Sequence, residues 1–262
     1  LGIRGMTWET CPRGINTGGW GLSVKTEDIA RFGQLYLQRG IWKGRRIVPE
    51  EWVAAATSKQ VPNGDDPNSD WAQGYGYQFW RCRNGAYRGD GAFGQYCLVM
   101  PDQDAVIAIT SGIGDMQAVL NAVWDHILPA MERTLPAGAS DEATLRRRLK
   151  ALEVSAPEGT ALSETGRRVH GRTYRIAPND RGIAATRVTL SDSRAELEMT
   201  TAKGSVRIAG GFSQWVRGAT ELDMGAPVKI ATRCAWPDDR TLVFKVCCYE
   251  TPFIRTITVR FD

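Results

Sequence analysis

Tyr87-Arg88-Gly89-Asp90-Gly91-Ala92-Phe93-Gly94-Gln95 runs straight into Tyr96-Cys97-Leu98-Val99-Met100-Pro101. The first part places glycine at 89, 91 and 94; the second is an apolar run of strand length that ends at a proline. Glycine inside a strand pattern marks a bulge, a sharp bend or a point where another backbone comes close. The stretch therefore reads as a glycine-rich strand edge passing into a buried strand. Upstream, strand-like runs at 74–83 and 86–88 flank Asn84-Gly85, a strong short hairpin signal. Downstream, Pro101-Asp102-Gln103-Asp104 leads into 105–110, so apolar that a central strand is expected.

Helices surround this group. Thr26 is placed to cap a helix whose first turn holds Glu27 and Asp28, with Ile29, Phe32, Leu35 and Tyr36 at helical spacing and Gly40 as the stop. A second helix begins at Pro49 and carries Trp52, Val53 and Ala56. Residues 115–132 form a long amphipathic pattern with Leu120, Val123, Trp124, Ile127 and Leu128 on the apolar side. Residues 1–24, rich in turn formers, read as an ordered loop packed by Trp8 and Trp20, and 61–70 as a surface loop. Trp20, Trp52, Trp80 and Trp124 fall on apolar faces and are expected in the core. Antiparallel strands followed by a closing helix give an α+β layer over residues 1–135.

The pattern then changes. Residues 136–165 read as a linker with one charged helix (141–152). From Gly166 onward the signal is strand throughout: 172–176, 186–190, 195–200, 205–208, 214–217, 228–236, 241–249 and 254–261. Short strands at this spacing predict an antiparallel all-β barrel over 166–262. Asp262 falls inside a strand pattern, so a barrel cut short is expected.

Composition narrows the function classes. The net charge is +4, and the only dense basic run, Arg146-Arg147-Arg148, lies on the charged helix, where a solvated face is the expected role. No apolar stretch approaches the roughly 20 residues that span a bilayer. Two histidines and six cysteines without a C-x-x-C pair give no zinc pattern, and no cofactor motif is present. His126 and His170 read as structural. Cys11–Cys82 or Cys234–Cys247 are the disulfides the sequence allows, beside the alternative of six buried thiols.

Four segments of residues 1–132 resemble, in order and spacing, the serine β-lactamase and penicillin-binding-protein superfamily on its class C, esterase and D-aminopeptidase side. They are Leu1-Gly2-Ile3 with Met6-Thr7-Trp8; Gly18-Gly19-Trp20-Gly21-Leu22-Ser23 with Thr26 to Phe32; Gly74-Tyr75-Gly76-Tyr77-Gln78-Phe79-Trp80; and the glycine stretch with Pro101-Asp102. The family's nucleophile is the serine of S-x-x-K, assisted by a Y-x-N or S-x-N motif. Neither pattern occurs here, and in the family both precede the segment that Leu1-Gly2-Ile3 resembles. The resemblance thus implies the C-terminal part of a serine hydrolase, inactive alone. Its third motif aligns with Gly89-Asp90-Gly91, which makes Ala92 N–H an oxyanion donor and replaces the motif's basic residue by Gly89. Arg88 is expected on the opposite strand face. Asp90 then disfavours a carboxylate-bearing β-lactam and fits an esterase, or an amidase for small or amine-bearing amides.

Trp8, Trp80 and Gln95 are the substrate-binding candidates of this part. The second part resembles the lipocalin-like barrels appended to D-aminopeptidases, which makes Phe253 in the Tyr249–Phe253 loop a candidate lid residue. Read without the resemblance, the glycines form a strand bend, Asp90 caps a turn and the loop is an ordinary connection. The alternative function is a non-catalytic ligand- or peptide-binding protein that uses the barrel. Expected partners are a small-molecule or peptide substrate, with association through exposed strand edges and no nucleic acid. The family suggests a periplasmic or extracellular setting; the residues leave a cytoplasmic one open.

Overall fold

The computed structural model describes residues 1–131, 139–221 and 227–262. The chain divides into two compact units, Leu1–Gly138 and Ala139–Asp262. The end of the expected 115–132 helix and the start of the linker, 132–138, lie outside the described residues.

In the first unit, β1 (Thr7–Trp8) pairs with β2 (Leu22–Ser23). Trp8 Nε1 donates to the carbonyls of Thr17 and Trp20 and so ties the loop between them. The Trp20 ring is 68% exposed, not core as expected. Helix α1 (Thr26–Leu37) follows. Thr26 does not cap it: Lys25 occupies the cap position, and the Thr26 hydroxyl meets that of Thr110 at 3.1 Å. A short hairpin, β3 (Ile41–Trp42) with β4 (Arg45–Arg46), leads to α2 (Glu50–Thr57) after Pro49. Trp52 stacks on Tyr77 at the surface instead of entering the core.

The main sheet has the order β5 (Trp80–Arg81), β6 (Tyr87–Gly91), β7 (Gln95–Met100) and β8 (Ala105–Ile109), antiparallel throughout. Asn84 and Gly85 both have positive φ, the geometry of the tight hairpin turn that their identity predicts. The run 74–79 is not a strand; Tyr75 makes only isolated bridges, to Val61 and Trp80. β8 is an edge among the described residues, against the expectation of a central position. Its apolar character has another cause. Val106 packs toward α1, while Ile107 and Ile109 pack with Leu98, Met100 and Leu120, so both faces are covered.

Helix α3 (Met116–Ala122) is capped by the Asp115 carboxylate, widens to a π-turn at Val123–Ile127 and tightens to a 3-10 turn at Leu128–Ala130, where Pro129 lacks an N–H. Leu98, Val99 and Met100 of β7 are fully buried between the helical layers. Each contributes roughly 1.5–3 kcal/mol by its removal from water.

The second unit opens with α4 (Ala139–Ala151) and α5 (Glu164–Val169); the latter corrects the reading of continuous strand from Gly166. The Ser163 hydroxyl accepts from Gly166 N–H and fixes the start of α5. Eight strands follow: β9 (Thr173–Arg175), β10 (Ile183–Leu190), β11 (Arg194–Thr201), β12 (Gly204–Gly211), β13 (Val216–Thr220), β14 (Val228–Asp238), β15 (Thr241–Cys247) and β16 (Ile254–Arg260). They form one curled sheet, a half barrel, where an antiparallel barrel cut short is expected. A barrel needs a continuous, staggered ladder around its circumference. Here β12 and β14 share one parallel bridge, Gly211 to Arg233, and β9 and β16 are edges among the described residues. The two edges approach through side chains: the Tyr174 and Phe261 rings are 5.8 Å apart. Leu197, Ile208, Ile230, Trp236, Leu242 and Phe244 fill the concave side. His170 Nδ1 accepts from Leu190 N–H, a structural role as expected. All six cysteines are free, so neither allowed disulfide forms.

Gly40 and Gly44 separate two costs. Both have positive φ, but a Cβ on Gly40 would lie 2.0 Å from the Val48 carbonyl oxygen, whereas one on Gly44 meets nothing within 4 Å. Gly44→Ala is expected to cost about 1–2 kcal/mol, and Gly40→Ala about 3 kcal/mol or more, in urea unfolding. Equal midpoints for the two variants would contradict this packing.

Candidate active site

Side chains on β6 alternate between two helical layers. Tyr87, with Cys97 and Val99 of β7, packs on the α1 and α2 side. A Cβ on Gly89 would meet Cys97 Cβ at 3.5 Å, which puts Gly89 on that same side. Arg88 lies on the other side, with Tyr96 and Cys82. The alternation rule thus holds for Arg88, and it applies equally to Asp90, two residues on. Asp90 Oδ2 accepts from Arg88 Nε at 2.8 Å, and Arg88 Nη2 makes a second ion-pair contact to it, also at 2.8 Å.

Arg88 has no solvent exposure. Its Nη1 donates to the Asp70 carbonyl at 2.9 Å, and its guanidinium lies 4.4 Å from the Trp71 ring centre and 5.7 Å from those of Trp80 and Tyr96. Aromatic faces stabilise a desolvated cation, by about 2 kcal/mol in favourable cases. Burial pushes the Asp90 carboxyl above its ordinary range, and the Arg88 charge and hydrogen bond pull it back only in part.

Beneath this pair sits Asp70, fully buried. Its carboxylate accepts from Arg83 N, Nε and Nη2, from Gln117 Nε2 and from Trp124 Nε1, all within 3.1 Å. Burial raises its affinity for a proton, but these five donors together outweigh it and hold the carboxyl below its usual range. The π-turn after α3 carries Trp124 into this network.

The turn from β6 to β7 is strained. Phe93 has φ +66°, an uncommon conformation for a bulky residue, of a kind that costs roughly 1–3 kcal/mol. The Ser111 hydroxyl, 2.8 Å from Phe93 O and 2.7 Å from Gly94 O, and Ile113 N–H, donating to Phe93 O, hold it. A Cβ on Gly94 would lie 2.3 Å from Ser111 Oγ, so this glycine is required. Gln95 Nε2 donates to the Ser111 and Ala92 carbonyls and braces the same turn.

On the α1 side, Gly89, Asp90 and Gln95 border a cleft of about 290 Å³ whose other walls include Ile3, Met6, Leu22, Val24, Ile29 and Phe32. The half of β6 that borders it, Gly89–Gly91, has among the described residues a strand partner only in β7; β5 begins opposite Arg88. Trp8 and Trp80 do not line this cleft: Trp8 holds its own loop, and Trp80 packs edge-on against Tyr75 near Arg88. Phe253 belongs to the second unit, in the β15–β16 connection, where its carbonyl accepts from Cys248 N–H. Sequence reasoning missed the Arg88–Asp90 pair and the Asp70 hub. The i, i+2 spacing of Arg88 and Asp90 on a strand was the available signal for the first; nothing local marks Asp70 as the partner of Arg83, Gln117 and Trp124.

The fold defines an α+β domain with helices on both faces of an antiparallel sheet and a glycine-edged strand at its cleft. Residues 4–132 match the family described as Beta-lactamase. Among solved structures, a 6-aminohexanoate-dimer hydrolase from Bacillus anthracis is 25% identical over 46% of this chain, with a TM-score of 0.37; the chain spans 32% of that protein. No curated protein matches.

Two predictions follow from the buried charges. Arg88→Met leaves Asp90 without a counter-ion and is expected to cost about 3–5 kcal/mol, with Arg88→Met/Asp90→Leu losing less than the single variant; a double variant as unstable as the sum of both singles would refute the pairing. Because the Asp70 carboxyl is depressed in the folded state, its contribution is present above the unfolded value near 4 and is lost as pH falls through the folded value. Asp70→Asn should therefore flatten the acid limb of the stability–pH curve; an unchanged limb would show that Asp70 does not shape it.

Proposed function

We propose that this chain contributes one wall of the active site of a serine hydrolase that transfers an acyl group to serine and then to water. The observation that carries the proposal is the Gly89–Gly91 edge: a strand segment with one side unpaired among the described residues, bordering a cleft, inside the part that matches the Beta-lactamase family. Such an edge can receive a substrate backbone, and Ala92 N–H would be one oxyanion donor. A Cβ on Gly89 would make only ordinary contact, so room for an approaching substrate, not backbone strain, is the role proposed for this glycine.

No serine in the chain stands three residues before a lysine. The nucleophile and its base are therefore assigned to a part of the enzyme outside these 262 residues, and this chain alone to an inactive state. The half barrel of the second unit would be an accessory module, with the Tyr249–Phe253 connection as its candidate lid. The rival reading, a binding protein that uses the barrel interior, is disfavoured by the buried side chains of Trp236, Leu242 and Phe244, which occupy that side.

Intact-mass measurement after incubation with a fluorophosphonate, and separately with a penicillin, tests this. No adduct is expected on the folded chain; a single stoichiometric adduct on one of its serines would overturn the assignment. In an enzyme that carries the nucleophile as well, Ala92→Pro removes the N–H donor and should lower kcat roughly 100- to 1000-fold. An unchanged kcat would exclude Ala92 from the oxyanion site.

A further inference from the structure

We infer that the cleft beside Gly89 accepts a neutral, apolar acyl chain and discriminates against both carboxylates and amines. The inference rests on the hydrolase reading for its biological meaning, and on the cleft's charge pattern for its content. Two acidic residues are among those that border the cleft, Asp28 and Asp90, and the Asp90 side chain turns to the opposite face of the sheet, toward Arg88. Each is engaged by an arginine close in sequence: Asp28 Oδ1 lies 2.6 Å from Arg31 Nη1, and Asp90 Oδ2 lies 2.8 Å from Arg88 Nη2. Both carboxylates are almost without solvent exposure, so neither has a free lobe in water to offer a cation. Among the described residues no lysine or histidine lines the cleft. The remaining walls are aliphatic, thioether and aromatic: Ile3, Met6, Leu22, Val24 and Phe32.

A charged ligand group would lose its hydration here and find every counter-ion already paired, a cost that a neutral group does not bear. The size is restrictive as well. A cleft of about 290 Å³ equals about ten water volumes, at about 30 Å³ each, so a chain of about ten heavy atoms at most, a six-carbon probe among them, fits within it.

The test is binding, independent of turnover. The isotope-labelled chain is titrated with hexanamide, hexanoate and hexylammonium, and the amide signals of Gly89, Gly91 and Cys97 are followed. Hexanamide should shift them with an affinity at least about tenfold above either ion. Equal or tighter binding of hexanoate or hexylammonium would overturn the inference, as would the absence of any shift at these residues. Arg31→Gln at the half-exposed arginine frees Asp28 and should raise hexylammonium affinity several-fold. Unchanged ion affinity in a folded variant contradicts the neutralisation argument.

Ester turnover separates the two readings. An enzyme that hydrolyses esters but binds hexanoate as well as hexanamide keeps the hydrolase assignment and loses the selectivity. A cleft that selects hexanamide in a protein that never acylates does the reverse.

Discussion

A guanidinium without access to water must find all its partners inside the protein, and in the first unit that requirement falls on Arg88. Its partners come from four separate places: Asp90 on its own strand, the carbonyl of Asp70, the ring of Trp71 and the flanking rings of Trp80 and Tyr96. Each of these is in turn held by others. Asp70 collects Arg83, Gln117 and Trp124, and Tyr96 donates its hydroxyl to Met116 O at the head of α3. The loop before β5, the outer strand of the sheet and the helix behind it are thereby fixed by one chain of polar contacts. Apolar packing alone would allow these elements to slide; directional bonds to buried charges do not.

This arrangement has an effect on the cleft side of the same strand. Gly89 and Gly91 carry no side chain to lock their position, yet Arg88 and Asp90, which alternate with them, are anchored on the opposite face. The glycine edge is therefore left open toward the cleft while its backbone is held from behind. The strained turn at Phe93 is maintained in a similar way, through the Ser111 hydroxyl and Gln95. An edge that must present backbone groups in a fixed direction needs this kind of support, because it has no side-chain packing of its own.

The sequence made local geometry legible where identity dictates it. Asn84-Gly85 marked its turn, Pro49 its helix start, and all eight strands of the second unit were visible as alternating runs between turn residues. Failures came where the outcome depends on residues far away in the chain. β8 reads as central because both its faces are covered, and coverage says nothing about hydrogen-bonded neighbours. Trp20 and Trp52 have the identity of core residues, but their helix and loop turn them outward. The barrel was inferred from strand count, whereas closure depends on register across β12 and β14, which one bridge provides. At the site, the glycine edge was readable and its charge state was not. Asp90 taken alone is an anion; with Arg88 two residues earlier and turned inward, it is half of a neutral pair.

The single bridge between Gly211 and Arg233 also bears on how the second unit comes into being. β9 to β12 are sequential antiparallel neighbours, and so are β13 to β16, so each set of four is a meander closed by short connections. Within each meander every pairing joins strands adjacent in the chain, which keeps loop-closure entropy small. The apolar cluster, in which Leu197 and Ile208 of one meander join Ile230, Leu242 and Phe244 of the other, demands that both be present, as do the Gly211–Arg233 bridge and the hydrogen bonds from Arg233 to Phe212 O and from Cys234 to Gly210 O. The half barrel thus has the connectivity of two independently nucleating hairpin arrays that gain cooperativity when their concave faces meet.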